Sequence, residues 1–200
     1  MKAFLLSSLV LFNTSAFSQQ HVFSSSDSKI TWEGTKVIGG GHQGTLDMKT
    51  GFIEFKDKKP VKAQVIVNML SIKNTDLEDP KWNKKLVGHL NSDDFFSTSK
   101  HPEAKILVTS FQQKQKGHFD LNGTLTIKGI SKPVQFSGQM IEKNNVVSTL
   151  TATLEIDRTE FNVRYGSGKF FEDLGDKMIS DTIKIDVELK LKDPIQTAKR

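Results

Sequence analysis

From Asp181 to Lys192 apolar and polar residues alternate without a break, with Ile183, Ile185, Val187, Leu189 and Leu191 on one side and Lys184, Asp186, Glu188 and Lys190 on the other. Successive side chains of a strand point to opposite faces, so this period of two predicts a β-strand with one dry face. Segments 29–38, 41–56, 61–70, 104–116, 118–129, 132–142 and 146–157 also read as strands. Phe119, Leu121, Leu125 and Ile127 alternate in one, and Leu150, Ala152, Leu154 and Ile156 in another. Such a chain has too few helices to cover eight dry faces, so those faces meet each other in a sandwich or a barrel. The expectation is an all-β protein with a short helix, a single eight-stranded antiparallel β-barrel. Closure removes exposed edges, and at this strand number the interior either fills with side chains or holds one small ligand. Fourteen phenylalanines against one tyrosine favour a spacious apolar interior, once Phe4, Phe12 and Phe17 are set aside as part of a leader.

The period changes after residue 78. Asp79 is suited to cap free amides and Pro80 to open a first turn, and Trp82, Leu86 and Leu90 follow at helical spacing. A helix over 80–90 with so narrow an apolar stripe is expected to lie across a barrel end or edge. Residues 159–178 carry Gly166, Gly168 and Gly175 without a clean period and read as a long loop with one helical turn, a length that often forms a lid. No fixed repeat and no Pro-, Gly- or Ser-rich linker divides the chain, so one domain is expected.

Lys2 followed by the apolar run Ala3–Phe12 has the charge and length of a signal peptide rather than of a membrane span. Cleavage is expected before Gln19, giving a leader over 1–18 and a domain over 19–200. The chain has no cysteine, so the fold does without disulfides and lacks the acylated cysteine of a bacterial lipoprotein. The expectation is a soluble periplasmic protein with no stable membrane insertion. A net charge of +5, spread along the chain instead of gathered on one face, suits solubility and gives no reason to expect nucleic-acid binding.

Chemistry-bearing patterns are few. Gly39, Gly41 and Gly44 have the spacing of a dinucleotide-binding turn, but the residues after them read as strand, and a phosphate-binding turn must open a helix. A hairpin or bulge is the better reading. His21, His42, His89, His101 and His118 are scattered without metal-ligand spacing, so no metal site is expected; His42 stands out beside the glycine turn. Asp93-Asp94 reads as a turn cap after the helix rather than a catalytic pair, and no nucleophile elbow occurs. No catalytic residue is assigned. Phe95-Phe96 either plugs a barrel end or flanks a portal, and Phe170-Phe171 is a similar pair in the long loop. Arg158 either pairs with a carboxylate or meets a polar ligand head.

Several ordered motifs resemble the YceI-like family of exported lipid-binding proteins. They are Trp32-x-Gly34-x-Lys36 with His42-x-Gly44, then Ser71-Ile72, His89-Leu90, Ser92-Asp93-Asp94-Phe95-Phe96 and Pro102-Glu103-Ala104. The run Gly123-Thr124-Leu125-Thr126-Ile127-Lys128-Gly129-Ile130-Ser131-Lys132-Pro133-Val134 follows, and Asp157-Arg158 with Phe161 comes last. Asn162 stands where a glycine is common. The resemblance implies an extended lipocalin-like barrel whose tunnel accepts a long apolar chain, usually a polyisoprenoid, with fatty acids or amides as variants. It implies no cofactor beyond that lipid and no catalytic residue. On this reading the tunnel wall includes Val65, Val67, Leu125, Ile127, Phe136, Leu154, Ile156, Val187 and Leu189, with Phe95, Phe96 and Phe161 near an opening. Lys36, His42 and Arg158 are candidates for head-group contact. The wall residues serve equally as ordinary core, because alternation identifies an apolar side and not a cavity. Two rivals remain open: an isomerase or hydratase using an internal pair such as His42 and Asp94, and a ligand-free interaction or stress protein with a filled barrel. A homodimer is also left open.

Overall fold

The structure is a computed structural model that describes residues 18–196. The leader expected over 1–18 therefore lies, except for Ser18, outside the described residues. Nine strands and one α-helix follow in the order β1 (Ser18–Val22), β2 (Lys29–Lys36), β3 (Gly41–Lys56), β4 (Lys59–Asn74), α1 (Pro80–Asn91), β5 (Glu103–Gln115), β6 (His118–Ile127), β7 (Ile130–Lys143), β8 (Val146–Asp157) and β9 (Ile179–Gln196). All neighbours pair antiparallel, and the ladder from β2 through β9, β8, β7, β6, β5 and β4 to β3 returns to β2. The sheet is therefore a closed eight-stranded barrel, as the alternating segments predict.

The ninth strand is an interruption rather than an extra layer. β1 pairs with Phe52–Lys56 of β3 and β2 with Gly41–Leu46 of the same β3 edge, so the two are halves of one stave. The excursion between them is a turn in which the Ser28 amide donates to the Ser24 carbonyl at 3.1 Å. β9 bridges the break, with its Lys190 carbonyl accepting from the Ser24 amide at 2.7 Å and its Lys190 amide donating to Ser28 Oγ at 3.0 Å. β1 is short, polar and mostly exposed, so it shows no alternation for a sequence reading to find.

The two barrel ends differ. At one end the connections are tight: Asp57-Lys58 (φ 51° and 63°) and Asn144-Asn145 (φ 54° and 60°) hold paired left-handed residues, whose twist matches that of the flanking strands. The other end carries the long connections: the 37–40 turn, α1 with its flanks, and residues 158–178. α1 starts as the sequence predicts, with Asp79 Oδ1 accepting from the Lys81 amide at 2.7 Å and Pro80 in its first turn. Its Leu86 and Val87, with buried Leu90, pack against Ile72, Phe95 and Val163 over the barrel end.

Candidate functional site: an apolar bore with one open end

Inward residues of the staves enclose a cavity of about 250 Å³ rather than filling the barrel. Val67, Ile106, Phe136, Ile185 and Val187 show why it is hollow: each points inward from its strand, yet each keeps accessible surface because it borders empty space. Room is made where small residues oppose each other, as at Gly138 and Ala152, cross-strand partners that both face the bore. Wall positions on β6 run from Phe119 to Ile127. At about 3.4 Å per residue this is roughly 27 Å of strand, or about 20 Å along a barrel axis tilted by about 40°. A small volume spread over that length makes a thin tube, suited to a chain and not to a bulky ring system.

The tube is shut at one end, where Phe23, Phe119, Met140 and Leu189 are all buried. At the other end Gly34 and His42 belong to the wall and still reach solvent, which places the mouth beneath the 37–40 turn and beside α1. Trp32 and Gly44 shape this mouth together. They are cross-strand partners, and a Cβ on Gly44 would meet the Lys73 carbonyl oxygen at 1.7 Å and the Trp32 ring at 2.7 Å. Only glycine lets β3 and β4 pass this closely with the indole laid across them. Trp32 Nε1 is buried without a hydrogen-bond partner among the described residues.

His42 Nδ1 lies 2.8 Å from Asp76 Oδ2, and Asp76 also accepts from the Gln43 amide at 2.9 Å and from the Asn74 side chain. Burial works to raise the Asp76 carboxyl, but the Gln43 amide, the His42 ring and Asn74 outweigh it and hold it below the ordinary carboxylate range. The other histidine at this end, His89 of α1, stands 3.2 Å from Asp94 and stacks edge-on against Tyr165 and Phe95, with centroids at 4.5 and 4.8 Å. The fold therefore does not bring His42 and Asp94 together. Among the described residues no cluster of potential metal ligands forms.

Of the wall residues predicted from the sequence, Val65, Val67, Leu125, Ile127, Phe136, Leu154, Ile156, Val187 and Leu189 line the bore, and Phe95 and Phe96 line it at the helix end. Phe161 does not. The short 3-10 turn over Arg158–Phe161 rotates it into the packing behind the wall, where it is 1% exposed among Leu125, Ile127, Leu154 and Ile156. Lys36 ends β2 on the outside and is not part of the lining, whereas His42 is. Ile183 and Ile185 also line the bore; they share the alternating face of Val187 and Leu189, so the signal for them was present. Trp32 lines it too, and its signal was the small residue opposite.

Arg158 is the clearest correction. It is 1% exposed and faces no ligand space. Its guanidinium donates to the carbonyls of Val163 at 2.8 Å, Tyr165 and Ser180 at 2.9 Å, and Ile179 at 3.2 Å. Asp181 stands 3.6 Å away, an ion pair too long for a hydrogen bond. Burial holds the Arg158 proton affinity below its ordinary value, with the Asp181 and Asp157 carboxylates offsetting part of that, and the cation sits at the hub of four carbonyl acceptors. Its work is to strap the 158–178 connection onto β9, helped by the Ile179 amide, which donates to the Gly166 carbonyl at 2.8 Å. Lys128, in the β6–β7 turn, adds a second strap by donating to the carbonyls of Asn162 at 3.0 Å and Asp93 at 3.3 Å. This end of the barrel is built from pinned connections rather than a free lid.

A closed eight-stranded antiparallel barrel with a short helix across one end and an apolar bore has the architecture of the lipocalin-like barrels. A family model described as YceI-like domain matches residues 21–191, and the chain belongs to that family. Protein YceI of Escherichia coli O157:H7 is 33% identical over 100 residues, 49% of this chain and 48% of that protein, so the match spans about half the length of such curated relatives. A UPF0312 protein of Pectobacterium atrosepticum is 29% identical over 66% of this chain and 68% of its own length. Among solved structures, BcnA of Burkholderia cenocepacia superposes with a TM-score of 0.65 at 21% identity, covering 84% of this chain and 98% of BcnA. A domain from Saccharophagus degradans, described as polyisoprenoid binding, gives a TM-score of 0.58 at 16% identity, with 86% and 97% covered. At these identities the two structures establish a shared fold.

Proposed function

We propose that this protein is a periplasmic carrier or store for a long apolar lipid, best matched by a polyisoprenoid, held along the bore. The observation that carries the reading is the bore itself: thin, some 20 Å long by strand geometry, apolar, and open at one end. Polyisoprenoid binding in the Saccharophagus degradans domain supports the ligand class. Lys2 and the run Ala3–Phe12 support export. Each methylene-sized group that leaves water contributes about 0.8 kcal/mol, so a few isoprene units outweigh the cost of ordering the chain. Discrimination then falls to bore length and to the polar groups at the mouth, where Trp32 Nε1 offers an unpaired donor and His42 a second polar contact.

The test is lipid extraction and mass spectrometry of protein purified from periplasm, joined to titration with fluorescent prenyl and acyl chains in free solution. The expected result is a co-purifying prenyl or acyl lipid and saturable uptake. Ala152→Phe, which fills the middle of the bore, is expected to weaken uptake at least tenfold while leaving the circular dichroism spectrum unchanged. Protein that carries no lipid and takes up no chain would sink the reading.

A further inference from the structure

We propose that the mouth end of the barrel is a docking face for a membrane surface rich in anionic lipid, seating a ring of aromatic and aliphatic side chains at the interface around the opening of the bore. Six large apolar residues are exposed at this end: Val37 59%, Ile38 67%, Trp82 52%, Tyr165 44%, Phe170 44% and Phe171 47%. Elsewhere Val22, Val61, Leu70 and Ile141 are exposed singly, which is ordinary for a folded surface. The six come from three connections held side by side, two of them by backbone hydrogen bonds and the third, α1, by a ring contact. The Val37 amide donates to the Met178 carbonyl at 2.9 Å, the Ile179 amide to Gly166 at 2.8 Å, and the Phe170 and Phe171 amides to Ser167 at 3.1 Å. Tyr165 then packs on His89 of α1, the helix that presents Trp82. An exposed apolar rim of this kind marks an interaction surface, and here it lies at the end of the barrel where the wall residues Gly34 and His42 reach solvent.

Charge selects the partner. α1 carries Lys81, Lys84 and Lys85 and no acid between Pro80 and Asn91. Lys85 Nζ lies 5.0 Å from the Trp82 ring centre, and the Arg164 guanidinium 4.6 Å from that of Phe170. A ring with a cation over it suits the headgroup layer, where the ring enters the acyl boundary while the cation meets phosphate. Glu172, Asp173 and Asp176 lie in the 158–178 connection, and Glu78, Asp79, Asp93 and Asp94 flank α1, so ring burial is the anchor and the lysines along the helix itself give the preference for anionic lipid. The purpose of docking rests on the carrier reading, since it lets a chain pass between bilayer and bore without crossing water. The surface itself stands on the rim.

The experiment is co-sedimentation of the mature protein with vesicles of phosphatidylglycerol and phosphatidylethanolamine, and with vesicles of phosphatidylcholine alone, read together with tryptophan emission. Trp82 is the exposed one of the two tryptophans, and the expected results are a blue shift and at least fivefold stronger partitioning onto the anionic vesicles. Phe170→Ser with Phe171→Ser is expected to lower partitioning at least tenfold, and Lys84→Glu with Lys85→Glu to remove the anionic preference. Both are expected to keep the wild-type melting temperature and its uptake of a prenyl probe in vesicle-free solution; Val61→Ser is the control at the shut end. Absence of partitioning by the wild type, or partitioning unchanged in the Phe variant, overturns the docking face. So does a vesicle-free dimer, seen by sedimentation velocity, that the Phe variant abolishes. Probe uptake without vesicles is a separate readout, so failure of the carrier reading and failure of the docking face are distinguishable.

Discussion

Arg158 illustrates what a single side chain does in this barrel. A buried guanidinium is stabilising only while its acceptors remain around it, and removing one partner strands the rest. Arg158→Met leaves four carbonyls without their donor and Asp181 without its counter-charge, and is expected to cost about 3–5 kcal/mol in urea unfolding. Arg158→Lys is expected to recover only part of that, because a point ammonium cannot span acceptors arranged for a planar fork. Asp76 makes a prediction with a sign. Its carboxyl titrates lower in the folded protein than in the unfolded chain, so its contribution is present above the unfolded value and fades as pH falls through the folded one. Asp76→Asn is expected to lower the urea midpoint at pH 7, with the gap closing below about pH 4 as native Asp76 takes up its proton. At this scale the wall residues were legible in the sequence because side-chain direction in a strand is fixed by parity. Arg158 and Phe161 were misplaced because they sit on a 3-10 turn, where parity says nothing.

At the scale of elements, the tight end of the barrel depends on residues that tolerate left-handed backbone. Asn144 and Asn145 are suited to it, whereas Lys58 at φ 63° is not. Lys58→Gly removes that strain at an exposed position and is expected to stabilise the β3–β4 hairpin by about 0.5–1 kcal/mol, a rise in melting temperature of about 2–4 °C at most. Strand and helix positions were mostly recoverable because period and capping residues announce them. The helix expected over 80–90 is α1, and the strand expected over 61–70 is the middle of a longer β4. β1 was missed because five mostly exposed, mostly polar residues carry no periodicity, and their partners on β3 are 30–38 residues away. The connection over 158–178 has the length expected of a lid, yet it is held by Arg158 and Lys128, whose reach across the barrel end is a tertiary fact.

For the whole molecule the decisive property is that the barrel encloses space. Anything that binds the folded state and not the unfolded chain raises stability by mass action, about 2.7 kcal/mol at a hundredfold excess over the dissociation constant. Delipidated protein is therefore expected to melt several degrees below the same protein supplied with a long-chain prenol, in scanning calorimetry at matched concentration. A short-chain alcohol at equal concentration is expected to produce little of the shift, because it buries fewer methylenes along the tube.

The sequence by itself determined an all-β chain of eight long strands with a capped helix, and which side of each of those strands is apolar, because periodicity and cap chemistry are local; whether the dry faces meet as a sandwich or close into a barrel is not a local property. Only the tertiary structure decided that the apolar sides stand apart around a bore, that one end is shut by Phe23, Phe119, Met140 and Leu189, and that Arg158 serves the frame and not the ligand space. An inward residue has the same alternation whether it touches a neighbour or empty space. The distance across a barrel depends on how all its strands tilt and stagger together.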